Sequence, residues 1–238
     1  PFGKRSGFLR KAWETLRIFG LRFFVHYTWR FLLARLGGRR SVHHLLRQKG
    51  ISVLRPEGSV NAPECLEAIR QLAPDLLISI AGNQIFKRPL IDLAPRGCLN
   101  LHSALLPKYR GLMPSFWVLR HGEKETGVSV FFVDEGIDSG PILVQKRIPI
   151  LGLSQQELIR QTKALGISCI LEAVDLIHRG DFTLIPNEEA QSSYFRFPTR
   201  EDVKAVQRRA NKKSASQACQ AVAVVSSVFS FALDQESY

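Results

Sequence analysis

Asn100, His102 and Asp138 are the residues of this 238-residue chain whose types and spacing could do chemistry. Asn100 and His102 are two apart at the end of an apolar run, 97–101, that reads as a strand, so an extended backbone sets both side chains on the same side. Asp138 sits in the loop Asp134-Glu135-Gly136-Ile137-Asp138-Ser139-Gly140-Pro141. Gly136 and Gly140 bracket it there, as expected of a turn that holds a carboxylate against a neighbouring imidazole. An amide donor, an imidazole and a carboxylate together suit transfer of an acyl-type carbon to an amine. Attack on such a carbonyl puts negative charge on its oxygen, which Asn100 and a protonated His102 can stabilise by donation, His102 also serving as general acid. Asp138 would hold the imidazolium and receive the amine's proton directly or through water. No covalent enzyme nucleophile is needed.

Taken singly, each of these residues has a plainer reading: a histidine is more often a satisfied structural group, and an asparagine an ordinary turn residue. The combination in loops that follow strands favours function. Between the first two catalytic candidates and the third lies Ser103-Ala104-Leu105-Leu106-Pro107-Lys108-Tyr109-Arg110-Gly111. Ser103, Leu105, Leu106, Pro107, Tyr109, Arg110 and Gly111 are read as an active-site loop, with Tyr109 to Gly111 either a flap over the site or a segment anchored by packing. Cys98 is read as a core residue, and His26, His43, His44, His121 and His178 as surface or packing residues without useful partners.

The elements that must position this set alternate between helices and buried strands. Residues 74–81 (PDLLISIA) form a continuous apolar run ending at Gly82, the pattern of a parallel strand covered on both faces. Further strands are expected at 51–54, 97–101, 127–133 and 142–150, and helices at 62–72 and 114–121. A long helix starts at Ser154, whose S-x-x-E spacing to Glu157 is that of a capping box. The fold class is therefore α/β, a Rossmann-like, mainly parallel sheet with helices on both faces and ligands bound beyond the strand ends. Before this domain, residues 8–36 read as two helices meeting near Gly20, and Ser41 as the cap of a short helix running to residue 48. The aromatic stripe from Phe19 to Phe31 is expected to be a buried helix face rather than a membrane anchor. After residue 198 come a charged helical stretch, 200–213, and a small-residue tail. Three regions follow: a basic aromatic helical segment, 1–50; a catalytic domain, 51–187; and a C-terminal extension, 188–238, helical and then peripheral or disordered.

Composition excludes more than it selects. The chain is 45% hydrophobic and 23% charged, which rules out a fibrous or wholly disordered protein. Its net charge of +12 is concentrated at one end, since residues 1–50 hold twelve Lys or Arg against Glu14 alone. That face is read as a contact for phosphate, RNA or an anionic membrane, or as a solvated basic helix. Four scattered cysteines suggest neither a disulfide framework nor a zinc site, and no stretch reaches the length of a membrane span, so a cytoplasmic location with reduced thiols is expected. The chain opens at Pro1, and an N-terminally truncated catalytic domain is the expectation.

The segments Asn100-Leu101-His102-Ser103-Ala104-Leu105-Leu106-Pro107 and Gly136-Ile137-Asp138-Ser139-Gly140, with a separation of 36 positions from His102 to Asp138, resemble the folate-dependent formyltransferase family. That family includes methionyl-tRNA, glycinamide ribonucleotide and amino-sugar formyltransferases. The resemblance implies the formyltransferase fold, 10-formyltetrahydrofolate as formyl donor without a metal, and Asn100, His102 and Asp138 as catalytic residues. It further implies a folate pocket lined by Ile80, Ala81, Gly82, Asn83, Gln84 and Ile85 together with Glu135, Gly136 and Ile137. The favoured acceptors are methionyl-tRNA or a nucleotide-linked amino sugar. The loop Leu105-Leu106-Pro107-Lys108-Tyr109-Arg110-Gly111 is similar to both of those branches, whereas the 140–146 stretch is similar to the glycinamide ribonucleotide branch. The short segment after Asn187 has no counterpart of the C-terminal barrel of methionyl-tRNA formyltransferases, which counts against tRNA. Hydrolysis of 10-formyltetrahydrofolate, and a noncatalytic folate-fold binding protein, are the alternatives.

Overall fold

In the computed structural model the described residues are 42–55, 58–82 and 84–214, with side chains described as far as residue 209 except at residue 43, together with scattered positions between 13 and 33. In chain order the elements are α1 (Val42–Gln48), α2 (Pro63–Gln71), β1 (Leu77–Ile80), α3 (Arg88–Ile91), β2 (Cys98–His102), β3 (Arg110–Gly111), α4 (Pro114–His121), β4 (Glu125–Phe132), β5 (Ile142–Pro149), α5 (Gln155–Arg179), β6 (Tyr194–Phe195) and α6 (Arg200–Ser214). A 3-10 turn, Glu189–Gln191, precedes β6.

Strand β4 carries the sheet because its sequence is apolar on both faces: Thr126 to Phe131 are all buried. It lies between β2 and β5 in a four-stranded sheet ordered β1-β2-β4-β5. β1 and β2 run parallel, as the continuous apolar run at 74–81 predicted, but β1 is not covered on both faces, since Ile78 and Ile80 are exposed; β4 is antiparallel to both β2 and β5. The α/β class holds, with the described strands mixed in direction. The β4–β5 pair is antiparallel because only the nine-residue loop 133–141 joins the two strands, too short for the helical crossover that a parallel pair requires.

Helix α5 covers one face. Ser154 caps it by accepting the Glu157 N–H at 3.1 Å, as the capping box predicted, and Gly180 in the left-handed conformation ends it. Leu158, Thr162, Gly166, Cys169, Ile170, Ala173 and Ile177 are buried at helical spacing, and the last four pack on Leu99, Val128, Val130, Leu143 and Val144. Burying each such aliphatic side chain contributes about 1.5–3 kcal/mol. Gly166 permits the close approach: a Cβ there would stand 2.8 Å from Leu101 Cδ2. Because Leu99 and Leu101 turn toward α5, the alternate residues of β2, Asn100 and His102, turn to the other face.

Three expectations need correction or limiting. Residues 51–54 form no strand, and Ile51, Val53 and Leu54 are exposed. β-branched propensity without a neighbouring strand to bond leaves such a run extended but unpaired. Gly20 does interrupt the N-terminal helical residues, at φ 86°; among the described residues of the aromatic stripe Phe19 is the one that is buried, packing with Phe116, Val203 and Val206, while Phe24 is half-buried. Leu21, Val25, Trp29 and Leu33 are at least half exposed, since the left-handed glycine redirects the chain away from that cluster. The expected cap at Ser41 and the tail 215–238 lie outside the described residues. No helix among the described residues is long and apolar enough to cross a membrane.

Candidate active site

The alternation of β2 brings Asn100 and His102 to one face, and the 133–141 loop folds back to set Asp138 against both. Asn100 Nδ2 lies 3.5 Å from Asp138 Oδ1, and His102 Nδ1 lies 3.6 Å from Asp138 Oδ2. His102 is buried and the Asp138 side chain is 13% exposed, so the cluster is shielded yet open on one side. Asp138 takes φ 51°, a left-handed conformation that aspartate tolerates better than most residues. Its Oδ2 also accepts the Gly111 N–H at 2.7 Å, which fixes the carboxylate relative to the loop.

The proton chemistry of His102 follows from its partners. Its Nε2 stands 2.7 Å from the Tyr109 carbonyl oxygen. A carbonyl only accepts, so Nε2 must carry hydrogen and Nδ1 is the nitrogen that gains or loses a proton. That nitrogen faces Asp138. One hydrogen of the Asn100 amide points at Asp138, and the other is available to a ligand oxygen. The arrangement can donate two hydrogen bonds to a developing oxyanion and relay one proton.

The loop read as either flap or anchored segment is anchored. Ser129, wholly buried in β4, donates to the Ala104 carbonyl and accepts from Leu106 N–H. Gln145 donates to the Leu106 carbonyl and to Ser129 Oγ. The Leu106–Pro107 peptide is cis. β3 pairs with β6, Tyr109 N–H donates to Ser193 Oγ, and a Cβ on Gly111, at φ 91°, would strike the Phe195 carbonyl at 2.4 Å. Tyr109, at φ 62°, is buried and stacks on Phe195. Its hydroxyl donates to Glu123 and accepts from His121 Nδ1. Burial and the Glu123 carboxylate hold the phenol well above its ordinary pKa, and burial holds His121 below its own. His121 therefore has the partner that spacing alone did not reveal. Arg110 is buried and reaches Glu189 and Asn187. Ser103 and Leu105 complete the turn, with Leu105 Cδ2 lying 2.5 Å from where a Gly127 Cβ would stand. Burial pushes the Cys98 thiol up to about 11, as befits a packing residue.

The residues implied for a folate pocket are less uniform. Ile80, Ile85 and Ile137 expose their apolar side chains by 57%, 67% and 44%. Ala81 takes φ 57° beside Gly82, and Glu135 and Gly136 occupy the turn in which Gly136 N–H donates to Asp134. Gln84 is occupied with Val60 N–H and the Gly58 carbonyl, and the Ile85 carbonyl accepts from Asn61. Asn83 lies outside the described residues. A cleft of about 490 Å³ lined by Arg17, Ile18, Phe197, Pro198, Thr199 and Arg200 contains none of these residues, so geometry and chemistry, not cavity size, locate the site. Sequence reasoning missed Ser129, Gln145, Ser193, Asn61 and Asn187. Only Ser129 left a signal, as a hydroxyl within an otherwise apolar buried strand.

Comparison with known proteins gives this geometry a context. The Formyl transferase family model matches residues 36–174. A methionyl-tRNA formyltransferase of Kosmotoga olearia is 40% identical over 166 residues, 68% of this chain and 52% of that protein. One of Geotalea daltonii is 36% identical over 159 residues, 66% of this chain and 51% of that protein. The chain thus spans about half the length of the curated relatives it matches. Among solved structures, glycinamide ribonucleotide transformylase 1 of Symbiobacterium toebii superposes with a TM-score of 0.54 at 28% identity, covering 60% of this chain and 70% of that one. HypX of Aquifex aeolicus, solved with tetrahydrofolic acid, shares the fold with a TM-score of 0.52 at 22% identity, over 58% of this chain and 24% of that one. The matched family region begins after most of the basic N-terminal segment, so the relatives lend no support to its reading as a contact for phosphate, RNA or membrane.

Proposed function

The chain belongs to the formyl transferase family, and from that premise we propose that it moves a formyl group from 10-formyltetrahydrofolate to a primary amine of an acceptor. The observation that carries this reading is the convergence of Asn100, His102 and Asp138 with His102 Nδ1 as the one imidazole nitrogen free to exchange a proton. The acceptor amine attacks the formyl carbon, and the carbonyl electrons move to oxygen. Asn100 and protonated His102 donate to that oxygen. The amine's proton passes to Asp138 directly or through water, and the bond from the formyl carbon to the folate nitrogen breaks as that nitrogen takes a proton originating at His102.

Methionyl-tRNA is the acceptor that the curated relatives favour, at 36–40% identity; a nucleotide-linked amino sugar is the second. The residues beside Asp138 suit a flat, partly apolar donor: Ile137 is exposed next to the carboxylate, and covering it would bury apolar surface. Calorimetric titration with 5-formyltetrahydrofolate, an unreactive stand-in for the donor, should give saturable binding. Ile137→Asp should weaken it about tenfold or more, the loss of one buried aliphatic contact plus a desolvated charge. Absence of saturable binding, or an unchanged affinity in the variant, would remove the donor site from these loops.

A further inference from the structure

We propose that Asn187, outside the residues matched by the family model, is the positioning residue that holds Asp138 in register with His102. This rests on the reading of Asp138 as part of the site given above. The chain after α5 returns to the sheet at Ile185, which exchanges two backbone hydrogen bonds with Ile142 at the start of β5. Two residues later Asn187 stands over the 133–141 loop. Its Nδ2 donates to the carbonyls of both Asp138 and Gly140, at 2.9 and 2.8 Å, and so clasps the loop on either side of Ser139.

The orientation of this amide has one solution. Arg110 donates from Nη2 to Asn187 Oδ1 at 3.0 Å and to the Asn187 carbonyl at 3.1 Å. A guanidinium has no acceptor, and the two loop carbonyls have no hydrogen, so oxygen must face Arg110 and nitrogen must face the loop. Arg110 is itself buried and ion-paired to Glu189, whose carboxyl it holds below its ordinary pKa. Arg110 precedes Gly111, the residue whose N–H grips the Asp138 carboxylate. The clasp and the carboxylate anchor therefore come from the two sides of one short strand. Asp138 in its left-handed conformation is held by three donors, two from Asn187 to its loop and one from Gly111 to its side chain, and none of these donors need touch substrate.

Asn187→Asp is the discriminating variant. It is isosteric, keeps an acceptor for Arg110, and replaces both loop-facing donors with an oxygen that the Asp138 and Gly140 carbonyls repel. Amide hydrogen exchange of Gly111 then reports the position of the Asp138 carboxylate, with Arg110 N–H and Leu112 N–H, bonded to Ser193 and Phe195 at 2.8 and 2.9 Å, as controls on the same strand. The expected result is exchange at Gly111 faster by about tenfold or more with the two controls unchanged. In steady-state formyl transfer, kcat should fall about 10- to 100-fold, the scale of a small misplacement of a reacting group, while KM for 10-formyltetrahydrofolate stays within about threefold. If Asn187→Asp does not fold, Asn187→Ala, which removes the donors without adding charge, takes its place with the same readouts. Protected Gly111 in the variant overturns the proposal, and so does simultaneous loss of protection at all three amides, the mark of a merely structural residue. A wild type that transfers no formyl group, together with selective release of Gly111 in the variant, would refute the proposed reaction and leave the clasp standing.

Discussion

Asp138→Asn lowers formyl transfer by about 10²- to 10⁴-fold, the range for removing a positioned acid or base, while thermal melting and the far-ultraviolet circular dichroism spectrum stay those of the wild type. The separation of activity from folding follows from geometry. The Asp138 carboxylate accepts from Gly111 N–H, a bond that the amide oxygen of asparagine can keep, so the loop retains its anchor. What disappears is the negative charge 3.6 Å from His102 Nδ1 and, in the proposed reaction, the site that receives the amine's proton. Asn100→Ala should cost about 10²- to 10³-fold by removing one donor to the oxyanion. Rates in either variant within tenfold of wild type would show that these groups are not the chemical centre.

Gly140→Ala should be the most damaging single methyl in the described structure, because fold and site meet there. A Cβ at Gly140 would stand 1.8 Å from the Phe132 carbonyl oxygen and 3.4 Å from the Asp134 N–H nitrogen. Both are backbone atoms that cannot swing aside. They belong to the neck of the β4–β5 connection, closed by the bond from Phe132 N–H to the Pro141 carbonyl at 2.9 Å. Forcing the neck open costs about 3 kcal/mol as overpacking does, or about 6–12 °C in melting temperature for a domain of this size. It also shifts the Gly140 carbonyl that Asn187 clasps, so activity should fall below the melting point as well. Gly180→Ala is the matched control. Gly180 is left-handed, but a Cβ there meets nothing within 4 Å, so the strain costs about 1 kcal/mol with catalysis intact. Equal melting of Gly140→Ala and wild type would contradict the packing described for this neck.

The geometry of the candidate site was legible in the sequence where local rules govern it. The period of two in a strand put Asn100 and His102 on one face, and paired glycines marked the Asp138 turn, because both signals act within a few residues. The capping box at Ser154 is equally local. Residues 51–54 show the opposite case: their apolar character promised a strand, but a strand exists only when a neighbour supplies its hydrogen bonds, and that neighbour is not encoded in the run itself. The scaffold around the site was illegible for the same reason. Asn187 follows a proline in a segment without periodicity, and it acquires a role only when the Ile142–Ile185 bridge carries it back across the sheet. The sequence leaves Tyr109 open between a flap and a packed anchor; contacts with Glu123, His121 and Phe195 fix it, and its carbonyl decides which nitrogen of His102 is proton-active. At Trp29, which is exposed, the aromatic stripe shows that helical periodicity identifies a face without saying whether anything covers it.

The central claim is that this cluster transfers a formyl group from a folate to an amine, and it is tested most directly by recording tetrahydrofolate release from 10-formyltetrahydrofolate. The protein is assayed without acceptor and then with methionyl-tRNA, a nucleotide-linked amino sugar and glycinamide ribonucleotide in turn. The account predicts release that depends on an acceptor, fastest with methionyl-tRNA, and that is lost in Asp138→Asn. Release at the same rate with no acceptor present, or no release with any acceptor from protein that binds 5-formyltetrahydrofolate, would contradict it.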